Sequence, residues 1–244
     1  TRVMACLFCL ATAPMLAAAA TEGDQTFPLD ARVTLDAYRT AVEARVEGVL
    51  VATRTLAATE QVRSGDWTRM RGSLAVLADG VKENAAVWFA RPDGSYFTVE
   101  KGLTGESLLE RAYFPDLLAG RDVIGSLVVS KSTGKRSLIV ASPVFADGKV
   151  SGAVGVSLDA AQLAASLEQA IRWPPDVVFY ALDSHGRTAL HRTGELIFAF
   201  PSDIGSPTLA DAVKAMLSKP EGVVEYQYAG SDRTAVFERS ALTG

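Results

Sequence analysis

A segment with one arginine and two aromatic residues precedes a run of predicted strands. Arg111 is followed by Tyr113 and Phe114. A guanidinium can hold a carboxylate through two parallel hydrogen bonds, and aromatic rings can supply the apolar walls of a cleft. The pattern therefore indicates a binding pocket. The alternative is a surface arginine paired with Glu110 or Asp116, because exposed arginine is the rule in proteins.

The strands that would form the floor of this pocket follow directly. Residues 125–130 predict a short strand, and residues 137–145 and 150–158 predict two longer ones that alternate apolar with small or polar side chains. Asp147 and Gly148 lie between the two longer runs, and such a pair supplies the positive-φ positions of a tight turn. We expect a β-hairpin here, with a third strand ahead of it.

The chain carries no recognisable catalytic motif. Asp183, Ser184 and His185 are consecutive, but neighbours on one turn cannot easily form a catalytic triad. His185 and His191 lack a nearby cysteine or a suitably spaced carboxylate, so no metal site is expected. We predict a protein that is not an enzyme and needs no cofactor. An exported hydrolase that uses Ser184 or His185 is the alternative.

Composition narrows the class of protein. The 244 residues are 48% hydrophobic and carry a net charge of −4, which suits a globular protein with a buried core and argues against nucleic-acid binding. This length allows one large domain or two small ones.

The N-terminus has the pattern of a secretory signal peptide. Arg2 precedes an apolar run over residues 3–16, and an alanine-rich end follows up to residue 20. We predict a signal peptide over residues 1–20 and a periplasmic or extracytoplasmic protein. The alternative is a buried helix or an uncleaved anchor. Cys6 and Cys9 both lie in this segment, so the processed chain would contain no cysteine.

Residues 21–80 predict a lead-in segment and two helices. Apolar residues recur at intervals of three and four from Leu35 to Leu56, which predicts a helix of about thirty residues. This stripe can pack within its own domain, or the helix can also pair with a second copy to form a homodimer. Asp66 can cap a second helix that begins at Trp67 and ends near residue 78.

The rest of the chain contains an internal repeat. Residues 85–98 and 177–190 both read as a strand, a turn containing Asp and Gly, and a second strand. The first copy covers residues 81–159, a linker helix and its Trp173-Pro174-Pro175 end cover 160–175, and the second copy covers 176–244. The second copy lacks a counterpart of strand 150–158. A sheet without that strand would leave an edge exposed, so we expect the natural chain to continue.

The order of these features resembles that of double Cache sensor domains. The strings that carry the resemblance are RAYF at 111–114, STGK at 132–135 and SPVFADGKVSGAVG at 142–155, together with the long helix and the tandem modules. The resemblance covers residues 30–244. It implies an α+β fold in which a long N-terminal helix precedes two tandem PAS-like modules, each a central antiparallel sheet flanked by helices. It also implies an extracytoplasmic sensor of a chemoreceptor or histidine kinase, with a membrane-associated signalling partner and a ligand in the first module.

The resemblance also suggests which residues bind the ligand. In members that bind amino acids, an Arg-x-Trp-Tyr segment holds the ligand carboxylate and two aspartates hold its amine. Arg111, Tyr113 and Phe114 stand at the first set of positions, whereas Ser130 and Ser157 replace the two aspartates. A buried ammonium must be paired with an opposite charge, and two serines cannot neutralise it.

We therefore expect a ligand with a carboxylate and no amine, such as acetate, propionate, lactate or pyruvate. Lys131 could add a second positive charge, although strand alternation would point it away from Ser130. Trp88, Tyr96 and Thr98 are expected to wall the pocket. The alternatives are an amino-acid sensor of the same fold and a ligand-free interaction module that acts through the long helix.

Overall fold

The computed structural model describes residues 7–12, 27–171 and 177–243. They form two compact units. The first module is Arg45–Ala160, and the second module consists of the described parts of Thr1–Ala44 and Ala161–Gly244. Each module contains one antiparallel sheet.

The strands, in chain order, are β1 (Leu7–Thr12), β2 (Asn84–Ala90), β3 (Ser95–Thr98), β4 (Gly102–Ser107), β5 (Val123–Val129), β6 (Arg136–Ala146), β7 (Lys149–Asp159), β8 (Val177–Leu182), β9 (Thr188–His191), β10 (Glu221–Tyr228) and β11 (Ser231–Arg239). The α-helices are α1 (Phe27–Ala57), α2 (Glu60–Arg63), α3 (Trp67–Gly80), α4 (Phe114–Leu118), α5 (Ala160–Ile171), α6 (Pro201–Ile204) and α7 (Pro207–Ser218). The α+β fold class and the long N-terminal helix are confirmed. Among the helices described, none is both long and apolar enough to span a bilayer.

Helices α1 and α3 follow the predicted pattern. The apolar stripe of α1 is buried, from Leu35 at 1% exposure to Val49 at 4%. The Asp66 side chain accepts the backbone N–H of Thr68 at 2.9 Å, which confirms the predicted cap of α3. Because the stripe packs inside the chain, a homodimer through α1 would need its exposed face, and the dimer stays a prediction.

The first module is built on a six-stranded sheet in the order β4-β3-β2-β7-β6-β5. The predicted hairpin is confirmed: β6 pairs with β7, and Asp147 and Gly148 between them adopt positive φ angles of 50° and 74°. Strand β4 was not predicted. Its glycines and exposed positions hide the alternation that marks a strand, and it lies at the sheet edge, next to β3 alone.

The second module repeats this arrangement with a strand from another part of the sequence. Its sheet order is β10-β11-β1-β8-β9, and β1 pairs antiparallel with both β8 and β11. Strand β1 thus takes the position that β7 holds between β2 and β6. The sequence predicted a sheet with this strand missing, but the position is filled by residues from the predicted signal peptide. The signal peptide itself stays a prediction, and the predicted boundary at Trp173-Pro174-Pro175 lies outside the described residues.

Each sheet has its own apolar core. In the first module, Trp88, Phe114, Leu117 and Ile139 belong to one buried cluster. In the second, helix α7 packs on β10 and contributes Leu209, Ala212, Val213 and Met216 to a cluster with residues of β8, β10 and β11. The two cores differ in how fully they fill the space over the sheet.

Candidate functional site

The first module contains a small cavity between its sheet and the segment that leads into α4. Its volume is about 20 Å3, close to the ~10–15 Å3 that one water molecule needs. The residues that line it are Trp88, Tyr96, Leu108, Arg111, Tyr113, Val128, Ser130, Lys131, Ser132, Ile139 and Ser157. The cavity therefore has room for little more than one water molecule.

The structure brings together most of the residues predicted from the sequence. Those that line the cavity are Trp88, Tyr96, Arg111, Tyr113, Ser130, Lys131 and Ser157. Phe114 is not among them, and its ring is buried in the core at 1% exposure. Thr98 is not among them either, and its hydroxyl accepts the N–H of Lys101 at 3.2 Å. The structure does not place these two residues on the wall of this cavity.

Four lining residues were missed. Leu108, Val128 and Ile139 are apolar residues in or beside strands, and nothing in their type separates a pocket wall from a core position. Ser132 lies in the turn after β5. In the sequence, the available signal was its position two residues after Ser130. In the structure the two hydroxyl oxygens lie 3.2 Å apart.

Arg111 has an unsatisfied donor at this cavity. A turn positions the residue, with its backbone N–H donating to the Leu108 carbonyl at 2.9 Å. One guanidinium nitrogen, Nη2, donates to the Val129 carbonyl at 2.7 Å. The Nε atom is buried and has no hydrogen-bond partner among the residues described. Such an orphaned donor costs about 1–3 kcal/mol, more for a charged group, unless a ligand or water accepts its proton.

Lys131 lies on the same side as Ser130, contrary to the prediction. Strand β5 ends at Val129, so the alternation of a strand no longer applies to the next two residues. The Lys131 ammonium donates to the Ser107 carbonyl at 2.8 Å. It also lies 3.8 Å from the highly exposed Glu110 carboxylate, which solvent screens. Lys131 is thus a second positive charge at the cavity.

The two serines at the aspartate positions are both buried. Ser130 is 7% exposed, and its hydroxyl oxygen accepts the backbone N–H of Thr133 at 3.3 Å. Ser157 is 4% exposed on β7, opposite Ile139 of β6. Among the described residues that line the cavity, Arg111 and Lys131 are positive and none is a carboxylate.

Two aromatic residues complete the walls. Burial raises the pKa of Tyr113 against the opposing effect of the Arg111 charge, so its phenol stays protonated and can donate a hydrogen bond. The indole of Trp88 lies directly over Gly155 of β7. A Cβ atom at Gly155 would come within 2.1 Å of the Trp88 ring. The glycine therefore lets the indole lie flat on the sheet and fill most of the space.

The second module's Asp-Ser-His segment is not arranged for catalysis. One Asp183 carboxylate oxygen accepts the backbone N–H groups of His185 and Arg187 at 3.0 and 2.9 Å. The other accepts from Arg187 Nε at 3.0 Å. The carboxylate thus stabilises its own turn, whereas a triad needs it on the imidazole. Within the described ranges, no three His, Cys, Asp or Glu side chains are grouped as a metal site would require.

Solved structures with the same architecture are sensor domains. No protein-family model and no curated protein matches the chain. The ligand-binding domain of the Pseudomonas aeruginosa amino-acid chemoreceptor PctC, in complex with GABA, is 16% identical over 88% of this chain and 99% of its own, with a TM-score of 0.61. The sensory domain of the Campylobacter jejuni chemoreceptor Tlp3, with isoleucine bound, is 13% identical over 90% and 96%, with a TM-score of 0.58.

A histidine kinase shows the same likeness. The sensor domain of Vibrio cholerae DctB is 13% identical over 87% of this chain and 98% of its own, with a TM-score of 0.63. These matches span both modules and nearly the whole of each sensor domain. The chain therefore has the fold of a double Cache sensor domain, with a long N-terminal helix and two PAS-like modules in tandem.

Proposed function

We propose that this chain is the extracytoplasmic ligand-binding part of a sensor for chemotaxis or signal transduction, and that its first module binds a small organic acid. The observation that carries the proposal is the unsatisfied Nε–H of Arg111 at a cavity where the described lining has two cations and no carboxylate. A carboxylate would accept from Nε and offset one of the two positive charges.

The size of the cavity favours the smallest acids. A volume of about 20 Å3 leaves room for few atoms unless the walls move. Acetate, propionate, lactate and pyruvate place a carboxylate on a body of one or two further carbons. Trp88 and Tyr113 would contact that body, and the Tyr113 phenol could donate to a carboxylate or hydroxyl oxygen.

The missing carboxylates count against a ligand with an ammonium group. Ser130 and Ser157 offer hydroxyl groups alone, and a buried ammonium without an opposite charge costs several kcal/mol. Arg111 and Lys131 would add repulsion. A small monocarboxylate avoids both penalties.

An amino-acid sensor is the second candidate. Similar sensor domains hold GABA and isoleucine, so the fold accommodates such ligands. In this chain an α-amino acid would need its ammonium to be paired by groups outside the nine residues predicted here. The comparison between an acid and its amino analogue decides between the two candidates.

Calorimetric titration of the full chain would test the proposal. The ligands are acetate, propionate, lactate and pyruvate, each set against glycine, alanine, GABA and the neutral acetamide and propionamide. We expect saturable binding of at least one acid, and about tenfold or greater loss for its amide, because the charge-assisted pair is lost. A bound acid should also raise the melting temperature by mass action.

Arg111→Gln is the decisive variant, and Arg121→Gln is its matched control. Arg121 lies in the same module but is half-exposed and paired with Asp116. Acid binding should fall at least tenfold in Arg111→Gln and stay unchanged in Arg121→Gln. Tighter binding of an amino acid than of its acid would support the second candidate. No binding by any compound would favour an interaction module that acts through α1.

A further inference from the structure

The second module contains a much larger cavity than the first. Its volume is about 220 Å3, and it lies between the sheet and the segment that connects β9 to α7. Tyr180 and His191 on β8 and β9 form one part of its wall, and Tyr226 and Arg233 on β10 and β11 form another. Half-exposed Ile204 of α6 lies at its rim.

We propose that this cavity is a second binding site, for an organic carboxylate whose body is a ring. The site is separate from the one in the first module, and no residue is common to the two linings. Three features on the cavity wall carry the inference: an uncompensated cation, a hydrogen-bond donor on a ring of fixed tautomer, and a wall of aromatic and aliphatic side chains.

Arg233 is the uncompensated cation. It is half-buried, and none of the residues described forms an ion pair or a side-chain hydrogen bond with it. Arg192, the other arginine of the lining, is different. Its Nε lies 3.1 Å from the Glu168 carboxylate and its Nη1 donates to the Val177 carbonyl at 3.2 Å. Among the described residues that line the cavity none is a carboxylate. A partly desolvated guanidinium in such a place attracts an anion, and its planar fork matches a carboxylate.

His191 supplies the hydrogen-bond donor. Its Nδ1 accepts the backbone N–H of Thr193 at 2.8 Å, so the proton of the neutral ring is on Nε2. Burial lowers the pKa of His191 to about 4, which keeps the ring neutral at pH 7. A neutral imidazole with a fixed tautomer offers one N–H donor to an oxygen acceptor. Because the ring is uncharged, it forms no ion pair with the ligand, and Arg233 pairs with the carboxylate.

The remaining wall suits a flat apolar body. Tyr180, Tyr226 and Tyr228 present ring surface, and Leu196 and Leu209 present aliphatic surface. The phenol oxygens of Tyr180 and Tyr226 lie 3.5 Å apart, so they can share a polar contact at one end of the cavity. Aromatic rings pack well against other rings. A ring that carries one carboxylate satisfies the cation and the wall together.

Titration of the full chain with benzoate, phenylacetate and 4-hydroxyphenylacetate would test this proposal, with benzamide and phenylacetamide as neutral controls. We expect saturable binding of at least one acid and at least tenfold weaker binding of its amide. Arg233→Gln should weaken the acid at least tenfold. Arg111→Gln should leave it unchanged, which separates this site from the one proposed in the first module.

A second readout works on the unaltered chain. The protein has two histidines, so their ring proton signals in an NMR spectrum are few and assignable. An aromatic acid in the cavity should shift the ring signals of His191 and leave those of exposed His185 in place. This readout does not depend on whether Arg233→Gln folds.

The proposal would be overturned by any of three results. The first is that no aromatic acid binds or moves the His191 signals. The second is that Arg233→Gln binds the acid as tightly as the unaltered chain. The third is that Arg111→Gln abolishes the binding, which would place the aromatic acid in the first module.

Discussion

The two modules share a strand order and differ in what lies above the sheet. Order β3-β2-β7-β6-β5 in the first corresponds to β9-β8-β1-β11-β10 in the second. Their cavities nevertheless measure about 20 and 220 Å3. Topology therefore fixes where a cavity can form, and individual side chains decide how much of it remains open.

One pair of equivalent positions explains much of the difference. Trp88 on β2 and Tyr180 on β8 occupy the same place relative to the turn that follows each strand. In the sheet register Trp88 is opposite Gly155 and Tyr180 is opposite Cys9. Gly155 has no side chain to lift the indole. The first module closes over a small space because its largest aromatic side chain lies flat on a glycine.

The largest expected effect comes from removing β1, the strand that holds in the second sheet the place of β7 in the first. Without residues 1–20, β8 and β11 lose the strand between them, and their backbone groups lose partners. We expect amide exchange in β8 and β11 to rise about 100-fold or more, while β2 and β7 stay protected. Hydrogen exchange followed by mass spectrometry would measure this. Unchanged protection would mean that the second sheet is stable without β1. This is the result expected if residues 1–20 are cleaved off as a signal peptide.

A smaller effect is expected from Gly155→Ala. The new Cβ would lie 2.1 Å from the Trp88 ring, so the indole must move or the sheet must bend. Overpacking of this kind costs about 1–3 kcal/mol. Gly48→Ala, at an exposed position of α1, is the matched control, since no neighbouring atom is found within 4 Å of the added Cβ. It should stabilise by about 0.5–1 kcal/mol. Denaturant unfolding measures both, and equal stability of the two variants would contradict this account of the closed cavity.

The smallest effect is a pH dependence in the second module. The pKa of His191 falls from 6.5 to about 4 because the ring is buried, with the neighbouring Arg192 charge acting in the same direction. The unfolded chain therefore binds more protons between those two values. The stability that a neutral His191 contributes is complete above about pH 6.5 and is lost as the pH falls towards 4.

His191→Gln should remove this part of the acid destabilisation. We compare the free energy of unfolding of the unaltered chain with that of the variant. Allowing for partial exposure of the ring, the difference between the two should change by roughly 1–2 kcal/mol between pH 7 and pH 4. His185→Gln is the control for loss of an exposed histidine. Parallel stability curves for the unaltered chain and His191→Gln would show that burial does not hold the ring neutral.

Local patterns predicted the elements whose signals lie within a few residues of one another. Spacing of three and four marked α1, the Asp147-Gly148 pair marked the hairpin, and Asp66 marked the start of α3. Strand β4 escaped because an exposed edge strand rich in glycine carries little alternation. Most of the predicted pocket residues line the first cavity, because β2, β3, β7, the turn after β5 and the segment before α4 bring them together.

The sequence by itself determined α1, α3, α5 and the hairpin of β6 and β7, since each depends on neighbours a few residues apart. Only the tertiary structure decided that β1 completes the second sheet, that Trp88 closes the first cavity over Gly155, and that Arg233 faces an open one. These outcomes depend on residues distant in sequence that meet across a sheet. Their contacts, and the space left between them, are set by packing that no local pattern encodes.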